Sequence, residues 1–291
     1  MGQCHASVLP SRGVLRIGGT DARKFLQGLI TNDIDKAQGG QAIHAGLLSP
    51  QGKILFDFLV VPDADGFFVD VAKDKAAELA KRLGFYRLRA DVEIREEPGL
   101  TVAALWGASP RLPDGAIAYI DPRLPKLGSR IVVGEGTTAA DLDCTSASEA
   151  DYHAFRIGLG VPEGGLDYVF GDLFPHEALF DQLNGVDFNK GCYVGQEVVS
   201  RMEHRGTARK RIVPVEGVSS LPAPGASIEA DGMPIGTLGS VNGASGLALV
   251  RLDRAEEALS QGKALTAGGI KIVLRRPDFA HFAIPVTEAL A

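Results

Sequence analysis

The sequence predicts a mixed α+β protein that ends in an antiparallel β-barrel, and two patterns predict it. Through the first half, apolar runs of strand length are interleaved with segments at helical spacing. After about Arg211 the helical spacing gives way to short strands at regular intervals, separated by turn formers, which is the pattern of a small barrel.

Val14-Leu15-Arg16-Ile17 alternates as a half-buried strand does, and Thr20 is placed to cap a short helix whose Ala22, Phe25, Leu26 and Leu29 share one face. Ala42 to Leu48 and Lys53 to Val61 are two apolar runs joined by the turn signal Ser49-Pro50-Gln51-Gly52, and Phe67 to Val71 follows as a third strand. Ala76, Leu79, Ala80 and Leu83 recur at helical spacing, whereas Val92 to Ile94, Leu100 to Leu105 and Arg130 to Val133 read as strands. Ser148 is expected to cap a helix that carries Tyr152, Phe155 and Leu159 inward and ends near Gly158 and Gly160. Gly164 to Lys190 is rich in turn formers and isolated aromatics, and an irregular segment of that length inside a compact domain is commonly functional. Barrel strands are expected at Ile212 to Val215, Ser227 to Ala230, Ile235 to Ser240, Leu247 to Leu252 and Ile270 to Leu274, with Asp231-Gly232 as a tight hairpin turn.

With 291 residues, 45% hydrophobic, the chain can bury two or three domain cores, and a dispersed net charge of -6 argues against holding a phosphate backbone non-specifically. Cys4, Cys144 and Cys192 are few and odd in number, which suits a reducing compartment, so a cytoplasmic protein is expected. Residues 1–13 lack the charged start and apolar run of an export signal, and no stretch approaches the ~20 apolar residues that span a bilayer. His153, His176 and His204 are too scattered for a metal-ligand spacing, so no metal site is expected.

Asn189-Lys190-Gly191-Cys192-Tyr193-Val194-Gly195-Gln196-Glu197 places a cation, thiol, phenol, amide and carboxylate within nine residues. Its two glycines let backbone approach a ligand closely, so the stretch nominates a cavity wall. In this stretch the chain resembles the YgfZ family, relatives of the glycine-cleavage aminomethyltransferase (GcvT), whose signature reads Lys-Gly-Cys-Tyr-x-Gly-Gln-Glu. Further family-like blocks are Gly19-Thr20-Asp21-Ala22, Phe25-Leu26-Gln27-Gly28, Thr31-Asn32-Asp33, Leu48 to Lys53, Tyr86-Arg87-Leu88-Arg89, Pro175-His176-Glu177 and Arg251 to Ala255.

The resemblance implies a GcvT-like ring of three modules, comprising two interleaved α+β units within residues 1–210, the second roughly 47–140, and a barrel domain over 211–291. It also implies a central cavity for tetrahydrofolate. There Glu177 would accept two parallel hydrogen bonds from the pterin edge, and Tyr86 or Tyr193 would pack on the flat rings. Arg89 and Gln196 would add polar contacts, while Lys190, Arg201 and Arg205, brought to one side by a turn or strand, would meet the anionic glutamate tail. Cys192 is the functional thiol: beside Lys190 it can act as a thiolate, the form that binds metal or exchanges with disulfides. The role implied is a folate-binding accessory factor for assembly or repair of iron-sulfur enzymes, including tRNA-modifying ones, with client or assembly proteins as partners.

Two features depart from the active aminomethyltransferases. Leu179 stands where many relatives carry Asn, and Asp70 to Ala77 lacks the Asn pair and the transfer-assisting acid, with Ala77 near its place. Binding without one-carbon transfer is therefore expected. The alternatives are a transferase in which Asp70 or Asp74 replaces the lost acid, and a tRNA-binding module using Arg201 to Arg211. Glu203 interrupts that basic run and no aromatics interleave it, which disfavours direct tRNA binding.

Overall fold

The computed structural model describes residues 3–107, 116–206 and 208–285. Its contacts divide the chain into two compact units, residues 1–152 with 183–196 and residues 153–182 with 197–291.

The first unit holds two five-stranded sheets. One runs Ile43–Leu48, Ile54–Asp63, Gly66–Ala72, Arg12–Gly18, Glu93–Glu96 in spatial order, and the helices Ala22–Gln27 and Lys73–Tyr86 contribute to its core. The alternation of Val14 to Ile17 and the helical spacing of Ala76, Leu79 and Leu83 deliver those side chains to a single apolar cluster with Leu26, Phe56 and Val69. The turn after Leu48 closes as its composition predicts, with Ser49 N donating to Lys53 O at 2.8 Å. Thr20 does not cap the first helix: its hydroxyl donates to Asp91 at 2.9 Å, and Asp21 occupies the cap position with its carboxylate turned to Asp91 N at 2.9 Å rather than to the helix.

The second sheet runs Thr145–Ser146, Cys4–Leu9, Leu100–Gly107, Ser129–Gly134, Ile117–Ile120. Residues 47–140 therefore do not form one sheet, because strands up to Glu96 complete the first and later ones build the second around the N-terminal strand. Cys4 and Cys144, at the two strands that pair in parallel at this edge, are joined by a disulfide across 140 residues. That corrects the reading of three cysteines as reduced thiols: residues far apart in sequence are neighbours at the sheet edge.

A buried ionic cluster joins the two sheets. Asp70 accepts from Arg12 Nε and Arg130 Nη1, both at 2.6 Å, and from the Tyr119 hydroxyl at 3.0 Å. Asp121 accepts from Arg130 Nε at 3.0 Å and from Arg123 Nε and Nη2 at 3.0 and 2.8 Å, and the Tyr152 hydroxyl accepts from both guanidiniums. Burial raises the Asp70 carboxyl, but Arg12 and Arg130 outweigh it and hold the group below its ordinary range. His44, fully enclosed nearby, is lowered to about 4 by burial, with Arg123 reinforcing the shift and a hydrogen bond to Leu183 O opposing it.

The second unit contains the barrel. Lys210–Gly217, Ser245–Arg251, Met233–Asn242, Ser227–Ala230, Leu265–Ala267 and Ile270–Leu274 pair antiparallel in that order and close on themselves. Five of these strands lie where turn spacing places them; Leu265–Ala267 is the sixth. Of the expected barrel domain 211–291, residues 286–291 lie outside the described residues. The hairpin at Asp231-Gly232 has both residues left-handed, at φ 52° and 75°, as a tight antiparallel turn requires. Ser148 caps the helix Glu149–Leu159, accepting from Asp151 N at 3.1 Å while Asp151 reaches back to Ser148 N at 2.8 Å. Among the described residues no helix is long and apolar enough to cross a membrane.

Candidate functional site

The Lys190 to Glu197 segment is built around one buried ammonium. Helix Ala22–Gln27 ends at Gly28, and the chain then turns through Thr31-Asn32-Asp33, leaving the carbonyls of Gln27, Ile30 and Asn32 converging on one point. Lys190 Nζ fills that point, donating to the three oxygens at 2.8, 2.7 and 2.9 Å. All three ammonium donors are thereby taken. Burial lowers Lys190 to about 8, while Asp33 and Asp187 act in the opposite direction.

The same turn holds the incoming chain. Thr31 Oγ1 donates to Gly185 O at 2.5 Å and accepts from Gly46 N at 2.8 Å, and Asn32 Nδ2 donates to His44 O and Asn184 O at 2.8 and 2.7 Å. Asp187 then orders the approach to Lys190, accepting from Asn189 N at 2.7 Å and pairing with Lys36 at 2.7 Å.

After Lys190 the chain alternates between surface and interior. Gly191 and Cys192 are exposed, Tyr193 is buried with Lys190 Nζ 5.2 Å from its ring centre, and Gly195 is pressed onto the Ser49–Gly52 turn. Burial pushes the Tyr193 hydroxyl well up. Gly195 has φ +81°, and a Cβ there would lie 2.5 Å from Ser49 O, so only glycine allows the contact. Cys192 is thus a free thiol on the crest of a loop whose two feet are fixed inside the fold.

The remaining residues assigned from sequence lie apart from this loop. Gln196 opens the helix Gln196–Arg205, so the spacing of Arg201 and Arg205 is that of a helix rather than the turn or strand expected. Arg201 pairs with Glu197 one turn back at 2.7 Å, and Arg205 is exposed in the last turn. Glu177 belongs to the second unit, where its Oε2 accepts from Phe174 N at 2.9 Å and its Oε1 lies 3.6 Å from Lys210. Tyr86 packs against the core of the first sheet, and Arg89 is exposed on the turn beyond it.

A cavity of about 450 Å³ in the first unit is lined by Asn32, His44, Asp121 and Asn184 among others, and one of about 410 Å³ in the second by His176, Glu203, Arg209 and Phe282 among others. Neither is lined by Tyr86, Arg89, Glu177, Lys190, Cys192, Tyr193, Gln196, Arg201 or Arg205.

Asp70 is not available as a transfer acid, because both its carboxylate oxygens are engaged inside the ionic cluster; Asp74 is exposed in the first turn of Lys73–Tyr86. His176, Asp181 and Glu203 bring potential metal-ligand atoms within 4.8 Å of one another, but Asp181 is held by both guanidinium nitrogens of Arg211 at 2.9 Å. A cation of the chain's own already occupies that carboxylate. Sequence reasoning missed the tripod of carbonyls around Lys190 and the roles of Thr31 and Asn32; the Thr31-Asn32-Asp33 block was the only signal for them.

Known proteins resemble this chain throughout. The family model for the C-terminal β-barrel domain of CAF17 matches residues 209–282. The iron-sulfur cluster assembly factor IBA57 of Homo sapiens is 34% identical over 270 residues, covering 83% of this chain and 76% of the human protein. The chain belongs to the IBA57 family. A homologue from Neurospora crassa is 38% identical over 230 residues, covering 71% of this chain, and the match spans about half (52%) of that relative's length. Among solved structures, the glycine cleavage system aminomethyltransferase T of Bartonella henselae superposes with a TM-score of 0.75, at 16% identity, over 96% of this chain and 86% of the other. This IBA57-family chain therefore has the GcvT-like fold that its motifs imply. The human and Neurospora IBA57 relatives are both named as mitochondrial, as is that of Mus musculus, which overturns the cytoplasmic assignment drawn from cysteine usage.

Proposed function

We propose that this IBA57-family chain acts in iron-sulfur cluster assembly by presenting the Cys192 thiol as one ligand or exchange point for a cluster shared with a partner protein. The observation that supports this reading is the placement of Cys192: free, exposed, and fixed between Lys190 and Tyr193. Rigid support matters because a pinned loop offers its sulfur in one geometry and loses little entropy on ligation. Clusters commonly take four protein ligands, so a single thiol works together with ligands from elsewhere. Clients of the route include tRNA-modifying iron-sulfur enzymes.

Cys192→Ser tests the reading. As an exposed substitution it is expected to leave the unfolding midpoint within about 0.5 kcal/mol of the parent, while iron-sulfur enzyme activities fall in cells that depend on this chain. Full complementation by the variant would refute the thiol role.

We also propose tetrahydrofolate as a ligand, bound without one-carbon transfer; the Lys190 to Glu197 signature and the aminomethyltransferase fold support it. Anaerobic titration of folded protein with tetrahydrofolate is expected to give saturable binding and no methylene-folate product from an aminomethyl donor. Absence of saturation would end the folate proposal and leave the thiol proposal standing.

A further inference from the structure

Five non-glycine residues have left-handed backbone among the described residues: Leu88, Asp143, Leu179, Asn184 and Asp231. Asp143, Asn184 and Asp231 are of the types that tolerate this conformation. Leu179, at φ 64°, is fully buried, so packing offsets its strain. Leu88, at φ 44°, has no such offset: it is 89% exposed. A glycine or asparagine would suit its backbone better and leave less apolar surface in water.

The surroundings of Leu88 are basic and partly apolar. Lys73–Tyr86 finishes in Lys81-Arg82-Leu83-Gly84-Phe85-Tyr86-Arg87-Leu88-Arg89, which carries four cations and no carboxylate in a chain of net charge -6. Phe85 is 65% exposed. Lys81, Arg82 and Arg89 are exposed and have no ion-pair partner among the described residues. The turn is nonetheless fixed. Arg87 N donates to Gly84 O, Ala90 N to Arg87 O at 2.8 Å, and the Arg87 guanidinium to Val92 O at 3.3 Å, while Tyr86 packs into the core beneath.

We propose that the Phe85–Arg89 turn is a docking knob for a protein partner whose surface carries an apolar socket bordered by carboxylates. Leu88 and Phe85 fill the socket, and Arg82 and Arg89 meet its rim. Aromatic and arginine side chains are enriched at interfaces and arginine is a frequent hot spot, which makes Phe85, Arg82 and Arg89 the anchors and Leu88 the apolar filler beside them. A strained, rigid display favours a protein over a bilayer, since a fluid surface accepts an exposed leucine in any backbone conformation. It also favours a protein over nucleic acid, because the most prominent side chain is aliphatic and Phe85 is one exposed ring rather than a row of rings on which successive bases stack. The proposal does not depend on cluster chemistry at Cys192.

The test is a photo-crosslinking amino acid at position 88 of the full chain in cells, with the same group at the 71%-exposed Met233 position on the barrel as control. The expected result is a discrete protein adduct from position 88 that the control does not give. The purified partner should then bind the parent chain saturably, and Leu88→Gly or the pair Arg82→Glu and Arg89→Glu should weaken that binding at least tenfold. Leu88→Gly should keep or raise the unfolding midpoint, which separates docking from folding. Adducts only to lipid or RNA, none beyond the control, affinity unmoved by these substitutions, or a midpoint lowered by Leu88→Gly would each overturn the proposal.

Discussion

Replacing Arg130 by methionine is expected to cost about 4 kcal/mol of folding stability, read as a lowered urea midpoint with an unchanged slope. Its guanidinium ties Asp70, Asp121 and the Tyr152 hydroxyl together in a space closed to water. Removing it leaves carboxylates buried with fewer partners, which is the costly way to break such a cluster. Adding Asp70→Asn to Arg130→Met should therefore cost less than the sum of the two single changes, a coupling that a double-mutant cycle measures. Acid should have a related effect. The folded Asp70 carboxyl is held below its unfolded value near 3.8, so its contribution is complete above that pH and is lost as pH falls through the lower folded value. Additive single and double variants would show that the cluster is not coupled.

Lys190→Met should have the next largest effect, roughly 3 kcal/mol, because three converging carbonyls lose a charged donor and no water replaces it without opening the loop. Lys190→Arg is not expected to rescue, since a planar fork cannot place three donors on three oxygens arranged around a point. Equilibrium unfolding reads both. A Lys190→Met chain within about 1 kcal/mol of the parent would show that the carbonyls are satisfied in another way. Partial loss of Cys192-dependent activity in a still-folded Lys190 variant would place the ammonium as a positioning group for the loop.

The elements that the sequence makes legible are those in which one face is apolar and the other is not. Val14 to Ile17, Ala76 to Leu83 and the strands after Arg211 announce themselves because burial is one-sided and periodic. The helix Gln196–Arg205 is not legible in this way, whereas Leu252–Ser260 does carry Leu252, Ala255 and Ala258 at helical spacing, directly after a strand run that masks its start. In Gln196–Arg205, Val199 is the single fully buried side chain, too sparse for periodicity to register. The ionic cluster is hidden for another reason: Arg12, Asp70, Tyr119, Arg130 and Tyr152 come from five places in the chain, and each alone reads as an ordinary polar residue.

Lys190 is the instructive case. Its motif marks it as special, and an anionic ligand is the natural expectation for a cation in a glycine-flanked segment. The structure gives it backbone carbonyls instead, since oxygens freed at a helix end carry no letter of their own. The signature is thereby legible as a site while its internal chemistry is inverted: the charged member supports from within, and the small exposed thiol is what the loop offers outward.

The route of the chain also bears on biogenesis. Residues 153–182 belong to the second unit before 183–196 return to the first, so the first unit receives its last segment only after part of the second has been synthesised. Until then the carbonyls of Gln27, Ile30 and Asn32 lack the ammonium that joins them, and the first unit is an unfinished body whose keystone is delivered late.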